Sequence, residues 1–459
     1  MPLLDSSDAR PIHFVGIAGA GMSALAELFL RRGVAITGCD AHPETAGDLQ
    51  RLGVSVTGHD PAHVDSALAL VVTSAMPKDH PELVRARERG IPVIRRAEAL
   101  GEVTVGRELV GVAGTHGKTT TTVMTAMALA AAGRDPTALV GGRVADWEGN
   151  LRAGSDRLYV VEADEYDRSF LALSPTVAVV TNIEADHLDI YADLADIRRT
   201  FAQFVRAARH IVLCADDANA NALATPSSTE VVRYGITSPD ARLVARDVAS
   251  QHGTTTFEVV YDDERLGPAE LRVPGRHNVL NALAAIAGGL VLGADLPSMA
   301  RGLAEFKGAE RRFQRLGEAG GISVVDDYAH HPTEIAATIA AARTSFPGRR
   351  LVVAFQPHLY SRTRDFAREF GASLSAADAV FLTEIYPARE KPIEGVSASL
   401  VESAVRDSGG RLQWRGRREE LADALAAFVR DGDAVITLGA GDITKTGAEL
   451  LARLGVSAA

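Results

Sequence analysis

The chain has 459 residues, 46% hydrophobic and 23% charged, with a formal net charge of −11; that length predicts two to four domains, each able to bury a core. The acidic balance excludes nucleic acid as the main partner, because phosphate backbones demand basic surface. No apolar run reaches the roughly 18 residues needed to insert in a membrane, and two cysteines, Cys39 and Cys214, build neither a disulfide framework nor a spaced metal motif.

Asp5 and Asp8 precede the first apolar run, so the N-terminus does not read as a signal peptide, and the expected compartment is cytoplasmic. The chain opens with a strand over Pro11–Gly16, a glycine loop, a helix over Met22–Arg32 and a strand over Ala35–Cys39 that ends at Asp40. The loop glycines, Gly16, Gly19 and Gly21, are spaced Gly-x2-Gly-x-Gly, unlike the dinucleotide pattern. A strand-to-helix loop of this kind holds a pyrophosphate, or else serves close packing of helix on strand. Asp40 falls where a ribose or base would be met. Apolar runs at Leu68–Thr73 and Pro92–Ile94 alternate with a helix over Pro81–Arg89, the pattern of a parallel sheet. A break falls at Val105-Gly106-Arg107.

The second segment starts with an apolar strand from Glu108 that runs into Gly114-Thr115-His116-Gly117-Lys118-Thr119-Thr120, then a helix over Thr121–Ala132. This is a phosphate-binding loop: backbone N–H groups cradle phosphate, Lys118 reaches the β/γ-phosphates, and a Thr hydroxyl binds Mg²⁺. Lys118 is one of only five lysines, which suits a compact point charge. The spacing is irregular, with Val112 where the first glycine usually sits. Leu158–Glu162 is a strand ending in a carboxylate, which would set Glu162 beside the loop's metal. Val177–Thr181 leads to His187, read as a second-metal ligand or a phosphate contact. Ile211–Cys214 is a further strand, and a strand-rich insertion follows over about 231–273. Pro274-Gly-Arg-His-Asn278 opens a helix over Val279–Leu292, with Asn278 as its cap and Asn278 or Asn281 as an adenine contact.

The third segment starts at Ile322–Asp326, with strands at Leu351–Gln356, Ala379–Thr383 and Ala434–Leu438, and reads as another parallel α/β sheet. Asp326-Asp327-Tyr-Ala-His330-His331-Pro332 follows its first strand, where open α/β sheets bind ligands. Gln356-Pro-His358-Leu-Tyr-Ser-Arg362 follows its second, and Arg362 could clamp a carboxylate. The expected division is 1–107, 108–313 and 314–459.

Together these residues resemble the Mur ligases of peptidoglycan synthesis. The resemblance rests on His13–Met22, Gly114–Thr120, Glu162–Phe170, Asn182–His187, Gly275–Asn281, Asp326–Pro332, Gln356–Arg364 and Gly439–Asp442, blocks that span nearly the whole chain. It implies an N-terminal Rossmann-like domain for a UDP-sugar, a central P-loop ATPase domain and a C-terminal Rossmann-like domain for an amino acid. The implied reaction joins L-alanine to the lactyl carboxylate of UDP-N-acetylmuramate and yields ADP and phosphate, with ATP and two Mg²⁺ ions. By the resemblance, Gly16, Ala18, Gly19, Gly21, Met22, Asp40, Ser74, Asp167 and Ser169 would hold the UDP-sugar. Gly114 to Thr120, Asn278, Asn281, Arg312 and Asp327 would hold ATP. Thr119, Glu162 and His187 would serve the metals, and His330, His331, His358 and Arg362 the alanine end. Lys118, Glu162, His187, Asp327, His330 and His331 would be the catalytic group, with the base that frees the amine left open. The expected assembly is a monomer or homodimer.

Two features depart from the family pattern. Leu359 stands where many relatives have Arg, which shifts alanine recognition toward Arg362. No lysine lies between Lys118 and Lys307, so the carbamylated-lysine metal bridge of several sister ligases is impossible here. Rival readings are a murein-peptide recycling ligase, a folate polyglutamate synthase, a nicotinamide-dependent oxidoreductase and a P-loop switch. The first glycine loop's spacing opposes the oxidoreductase, and no guanine-reading Asn-Lys-x-Asp supports the switch.

Overall fold

The computed structural model describes residues 8–73, 76–251, 253–388 and 390–455. Its contacts divide the chain into two compact units. One holds Met1–Asp247, Phe257–Ala269 and Leu280–Phe306; the other holds Val248–Thr256, Glu270–Val279 and Lys307–Ala459. Among the described residues, no helix is long and apolar enough to cross a membrane.

The first sheet has five strands: β1 (Ile12–Val15), β2 (Ile36–Cys39), β3 (Ser55–Thr57), β4 (Ala69–Val72) and β5 (Val93–Arg95). Their order is β3-β2-β1-β4-β5, and every neighbour pair is parallel. The order reverses between β1 and β4, so the glycine loop after β1 opens at the switch point, where such sheets leave a crevice. The helix after that loop runs Ala20–Arg31 and buries Leu25, Leu28 and Phe29 on the sheet.

The second sheet carries β6 (Glu108–Ala113), β7 (Thr137–Val144), β8 (Gly149–Arg152), β9 (Leu158–Glu162), β10 (Val177–Val180), β11 (His210–Cys214), β12 (Glu230–Gly235), β13 (Leu243–Gln251), β14 (Thr254–Tyr261) and β15 (Glu264–Leu271). Its order is β15-β14-β13-β12-β11-β10-β6-β9-β7-β8. Strand β6 lies between β9 and β10, parallel to both, and the last five of its six residues are buried. Burial on both faces is why it reads as an unbroken apolar run. This order brings together the loops after β6, β9 and β10. The β7–β8 pair is an antiparallel hairpin, unread in the sequence, because β7 holds two glycines and an arginine and lacks a strict alternation.

The third sheet carries β16 (Gln314–Ala319), β17 (Ile322–Asp327), β18 (Arg350–Phe355), β19 (Ala379–Thr383), β20 (Leu412–Gly416) and β21 (Asp433–Leu438), in the order β16-β17-β21-β18-β19-β20. It is parallel except at β16, which returns antiparallel to β17 through Gly320-Gly321, both with positive φ. The strands read from Ile322 onward are parallel as expected, and β16 is an added antiparallel edge. The half-exposed β16 carries Gln, Arg and Glu, so it lacks the apolar run that marked the other strands.

Helix starts also differ: those expected at Met22 and Thr121 fall at Ala20 and Lys118. The helix expected from Val279 begins at Arg276, so Asn278 lies inside its first turn. A residue inside the helix is not its cap, so the capping role is corrected; the Asn278 amide donates to Pro274 O at 2.6 Å.

Candidate active site

The register explains the irregular phosphate loop. Val112 pairs with Glu162 on β9 and with Val179 on β10, so the position usually given to the first loop glycine is still strand. The loop is compressed into Gly114–Gly117. Gly114 and Gly117 take φ of 143° and 82°, where side chains other than glycine are strained. A Cβ on Gly114 would strike Thr181 Oγ1, and one on Gly117 would lie 2.6 Å from Asn281 Oδ1. The end of β10 holds the loop from one side. Asn182 Oδ1 accepts from His116 N at 2.8 Å, Asn182 Nδ2 and Thr181 Oγ1 donate to His116 O, and Glu184 N donates to Thr115 Oγ1 at 2.9 Å. Asn182 fell within a motif block but was not assigned this fastening role. Gly117 then precedes the helix Lys118–Ala131, whose first-turn N–H groups face outward for an anion. Thr120 is buried in that first turn, and Asn281 accepts from Thr121 Oγ1 at 3.1 Å.

Two carboxylates converge on this helix start. Glu162 Oε2 accepts from Thr119 Oγ1 at 2.9 Å and from Gly141 N at 2.7 Å. Glu165 lies 2.8 Å from Lys118 Nζ, which also donates to the carbonyls of Gly114 and Thr115. Burial disfavours both charges of this pair, yet their mutual attraction prevails: the Lys118 pKa is raised and the Glu165 pKa lowered. His187, at φ 53°, sets Nε2 3.6 Å from Glu165. Burial works against its charged ring, but Glu165 and Asp186 outweigh that and raise its pKa. Glu165 lay within the Glu162–Phe170 block with no role assigned; the structure makes it the hub between Lys118 and His187.

The glycine loop after β1 is tied to Asp40. Its carboxylate accepts from Ala18 N and from His42 N, both at 3.0 Å. A cavity of about 200 Å³ runs from Gly19, Gly21 and Met22 at the start of the helix Ala20–Arg31 to Gly141, Glu162 and Asp164. Among the described residues Arg96 is the one cation lining it, and a Cβ on Gly21 would lie 3.1 Å from Arg96 Nη1. No motif had singled out Arg96. A second cavity of about 150 Å³ is lined by Arg95, Arg96, Asp167, Arg168 and Ser169. Asp167 and Arg168 both take positive φ, which turns the chain there. Ser74 lies outside the described residues.

The other unit gathers its own polar group around the end of β17. Asp327 accepts from Phe313 N and Ala329 N, each at 2.8 Å, and burial, opposed by Arg312, raises its pKa to about 6. Asp326 accepts from Thr437 Oγ1 at 2.5 Å, Thr444 Oγ1 at 2.8 Å and Arg311 Nε at 3.3 Å. It is thus fixed within the sheet, while Asp327 stands at the strand end. Arg312 Nη1 lies 3.5 Å from Glu334, and its guanidinium sits over the Tyr328 ring. The two histidines take different partners in the fold. His331 caps the helix Pro332–Ser345 through Nδ1, whereas the His330 ring packs at 5.8 Å against His358. His358 Nδ1 lies 3.4 Å from Arg362 Nη1, and Arg362 is 6% exposed. Leu359 takes φ 68° ahead of the helix Tyr360–Leu374, which turns His358 and Arg362 toward each other.

Three family models match along the chain: "Mur ligase family, catalytic domain" over 11–107, "Mur ligase middle domain" over 112–289 and "Mur ligase, glutamate ligase domain" over 311–441. The UDP-N-acetylmuramate–L-alanine ligase of Acidothermus cellulolyticus is 47% identical, over 94% of this chain and 91% of its own length. The chain belongs to the Mur ligase family. Among solved structures, the UDP-N-acetylmuramate–alanine ligase of Thermotoga maritima superposes with a TM-score of 0.83 at 30% identity, covering 96% of this chain and 98% of that one. A murein peptide ligase from Psychrobacter arcticus gives 0.72 at 27% identity, covering 98% and 100%.

Mur ligases use ATP, generally with Mg²⁺. The residues of this Mur ligase fit that ion: Thr119 and Glu162 present a hydroxyl and a carboxylate 2.9 Å apart, hard oxygen donors of the kind Mg²⁺ takes.

Proposed function

We infer that this Mur ligase joins L-alanine to the lactyl carboxylate of UDP-N-acetylmuramate and cleaves ATP to ADP and phosphate. The observation that carries the reading is the cavity that links the first glycine loop to Glu162. A sugar nucleotide whose pyrophosphate rests on the helix at Gly19–Gly21, with Arg96 beside it, would point its far end at the phosphate loop. The names of these relatives support the same substrates.

A carboxylate and an amine do not condense in neutral water, because hydroxide leaves poorly. Transfer of the γ-phosphoryl group to a carboxylate oxygen, with ADP as leaving group, gives an acyl phosphate. The amine nitrogen then attacks the acyl carbon, phosphate departs and the nitrogen loses a proton. Lys118 and the N–H groups of Gly114 to Thr120 hold the phosphates through the first step. Mg²⁺, held by Thr119 and Glu162, would neutralise charge spread over them. His187, whose pKa is raised beside Glu165 and Asp186, adds a positive edge to the same site when protonated. Asn278, Asn281 and Arg312 serve the nucleotide. His330, His358 and Arg362 serve the amino acid, with Arg362 offering two N–H groups to a carboxylate. Asp327 and the pair His330/His331 are the groups that handle the amine's proton. In this reading residues 1–107, 108–313 and 314–459 take the sugar nucleotide, ATP and the amino acid respectively, two Mg²⁺ ions take part, and the enzyme works in the cytoplasm as a monomer or homodimer.

The test is phosphate release from ATP with each amino acid and with a murein tripeptide, with and without UDP-N-acetylmuramate. Release that needs both L-alanine and the sugar nucleotide is expected. Release independent of the sugar nucleotide, or faster with the tripeptide, would overturn the reading.

A further inference from the structure

We propose that the first sheet carries a zinc-type metal site built by His13, Cys39, His63 and Glu82. The residues come from β1, the end of β2, the turn Pro61–Ser66 and the helix Pro81–Arg89. They are far apart in sequence, which is why cysteine spacing gave no sign of a metal motif. In space their ligand atoms all lie within 4.8 Å of one another. Cys39 Sγ is 3.1 and 3.2 Å from the two Glu82 oxygens, and His63 Nδ1 is 3.3 Å from Glu82. A tetrahedral zinc ion with bonds of about 2.0–2.3 Å holds its ligands roughly 3.3–3.8 Å apart, so small side-chain shifts complete the shell.

Three features of the cluster call for a cation. Glu82 is wholly buried, yet among the described residues no Lys or Arg pairs with it; its contacts are Cys39, His59, His63 and the N–H of Asp60. His13 is 1% exposed, and its Nε2 makes no hydrogen bond while Nδ1 is anchored 2.9 Å from Thr37 Oγ1. An imidazole with one nitrogen anchored and the other open is the arrangement metal-bound histidines adopt. Third, one thiolate and one carboxylate balance a dication, with two neutral imidazoles completing four ligands.

Metal binding by Cys39 would release the thiol proton to solvent. Sulfur and imidazole donors select zinc or cobalt over Mg²⁺, so the site is chemically separate from the one at Thr119 and Glu162. His59 and His80 lie on the outer side, sharing Glu82 in a second three-residue group, with His59 exposed; they provide a route for the ion. The Cys39 carbonyl accepts from Gly16 N at 2.8 Å and from Ile17 N at 3.1 Å. An ion here therefore braces β1 and β2 beneath the glycine loop, whichever nucleotide that loop binds.

The experiment is titration of the chelator-stripped full-length protein with Co²⁺, followed by Zn²⁺. One equivalent of Co²⁺ is expected to give a thiolate-to-cobalt charge-transfer band and tetrahedral visible bands, both erased by Zn²⁺ and untouched by excess Mg²⁺. The band should persist in Cys214→Ser and vanish in Cys39→Ser. His63→Ala, at a partly exposed position, should weaken zinc binding at least tenfold and serves if Cys39→Ser fails to fold. Absence of a thiolate band in the unaltered protein, its survival in Cys39→Ser, or its loss in Cys214→Ser alone would overturn the proposal.

Discussion

Lys118 Nζ sits 2.8 Å from the Glu165 carboxylate, with the two side chains only 13% and 4% exposed. A buried pair of this kind is costly to break from one side, because the remaining charge has no water to fall back on. Glu165→Gln should therefore destabilise the protein by about 3 kcal/mol. The lysine it strands is the one assigned to the ATP phosphates. A non-hydrolysable ATP analogue should then raise the melting temperature of Glu165→Gln more than that of the unaltered protein. Equal shifts would mean that Lys118 does not exchange Glu165 for phosphate. Lys118→Ala should lower phosphate release at least a hundredfold, in line with the loss of one transition-state donor.

Asp327 gives a pH signature. Its pKa is raised to about 6 in the fold against 3.8 ordinarily, because burial disfavours the ion. A carboxyl with a raised pKa contributes stability that is fully present below its unfolded value and lost as pH rises through the folded one. That window runs from about 4 to 6, and a shift of two units corresponds to about 3 kcal/mol. Asp327→Asn removes the ionisation. Its melting temperature, measured relative to the unaltered protein, should be higher at pH 8 than at pH 4. The absolute offset is lowered by one lost acceptor, since the carboxylate takes both Phe313 N and Ala329 N. A pH-independent difference would place the titration elsewhere.

The sequence exposed strands that are buried on both faces and loops that end in chemistry. Strands β6, β9 and β10, with Glu162 ending β9 and Lys118 and His187 beyond the other two, were readable because apolar runs stop at polar groups. The hairpin β7–β8, which ends the second sheet, and the edge strand β16 were not, since they mix glycine, charge and apolar residues. Partnerships were harder still. Nothing in the spacing of 47 positions marks Glu165 as the mate of Lys118, and Asn182 shows its role only once β10 lies beside β6. Arg96 is hidden for the same reason: it meets Gly21 through the crossing of two helices, not through a motif.

That position of Arg96 yields a prediction on binding. Among the described residues it is the one cation lining the cavity from Gly19 to Glu162, beside the start of the helix Ala20–Arg31. A charge-assisted hydrogen bond to pyrophosphate or carboxylate is worth about 1.5–3 kcal/mol. Arg96→Ala should raise KM for the sugar nucleotide by about tenfold to a hundredfold and leave KM for ATP unchanged. An equal rise for both substrates would show that Arg96 supports the fold of the cavity instead of a ligand.

Gly117 allows strain and crowding to be separated. Its φ of 82° costs a side-chain-bearing residue about 1–2 kcal/mol. A Cβ would also press on Asn281 Oδ1 at 2.6 Å, and Asn281 in turn accepts from Thr121 Oγ1. Gly117→Ala should thus weaken ATP binding at least tenfold, because the loop N–H groups turn away from phosphate. Adding Asn281→Ala relieves the crowding but leaves the backbone strain. The double variant should recover melting temperature relative to Gly117→Ala alone, by an amount that reports the contact, while KM for ATP stays raised. Full recovery of both would mean that the left-handed backbone at 117 is not required, and that the glycine is there only to make room for Asn281.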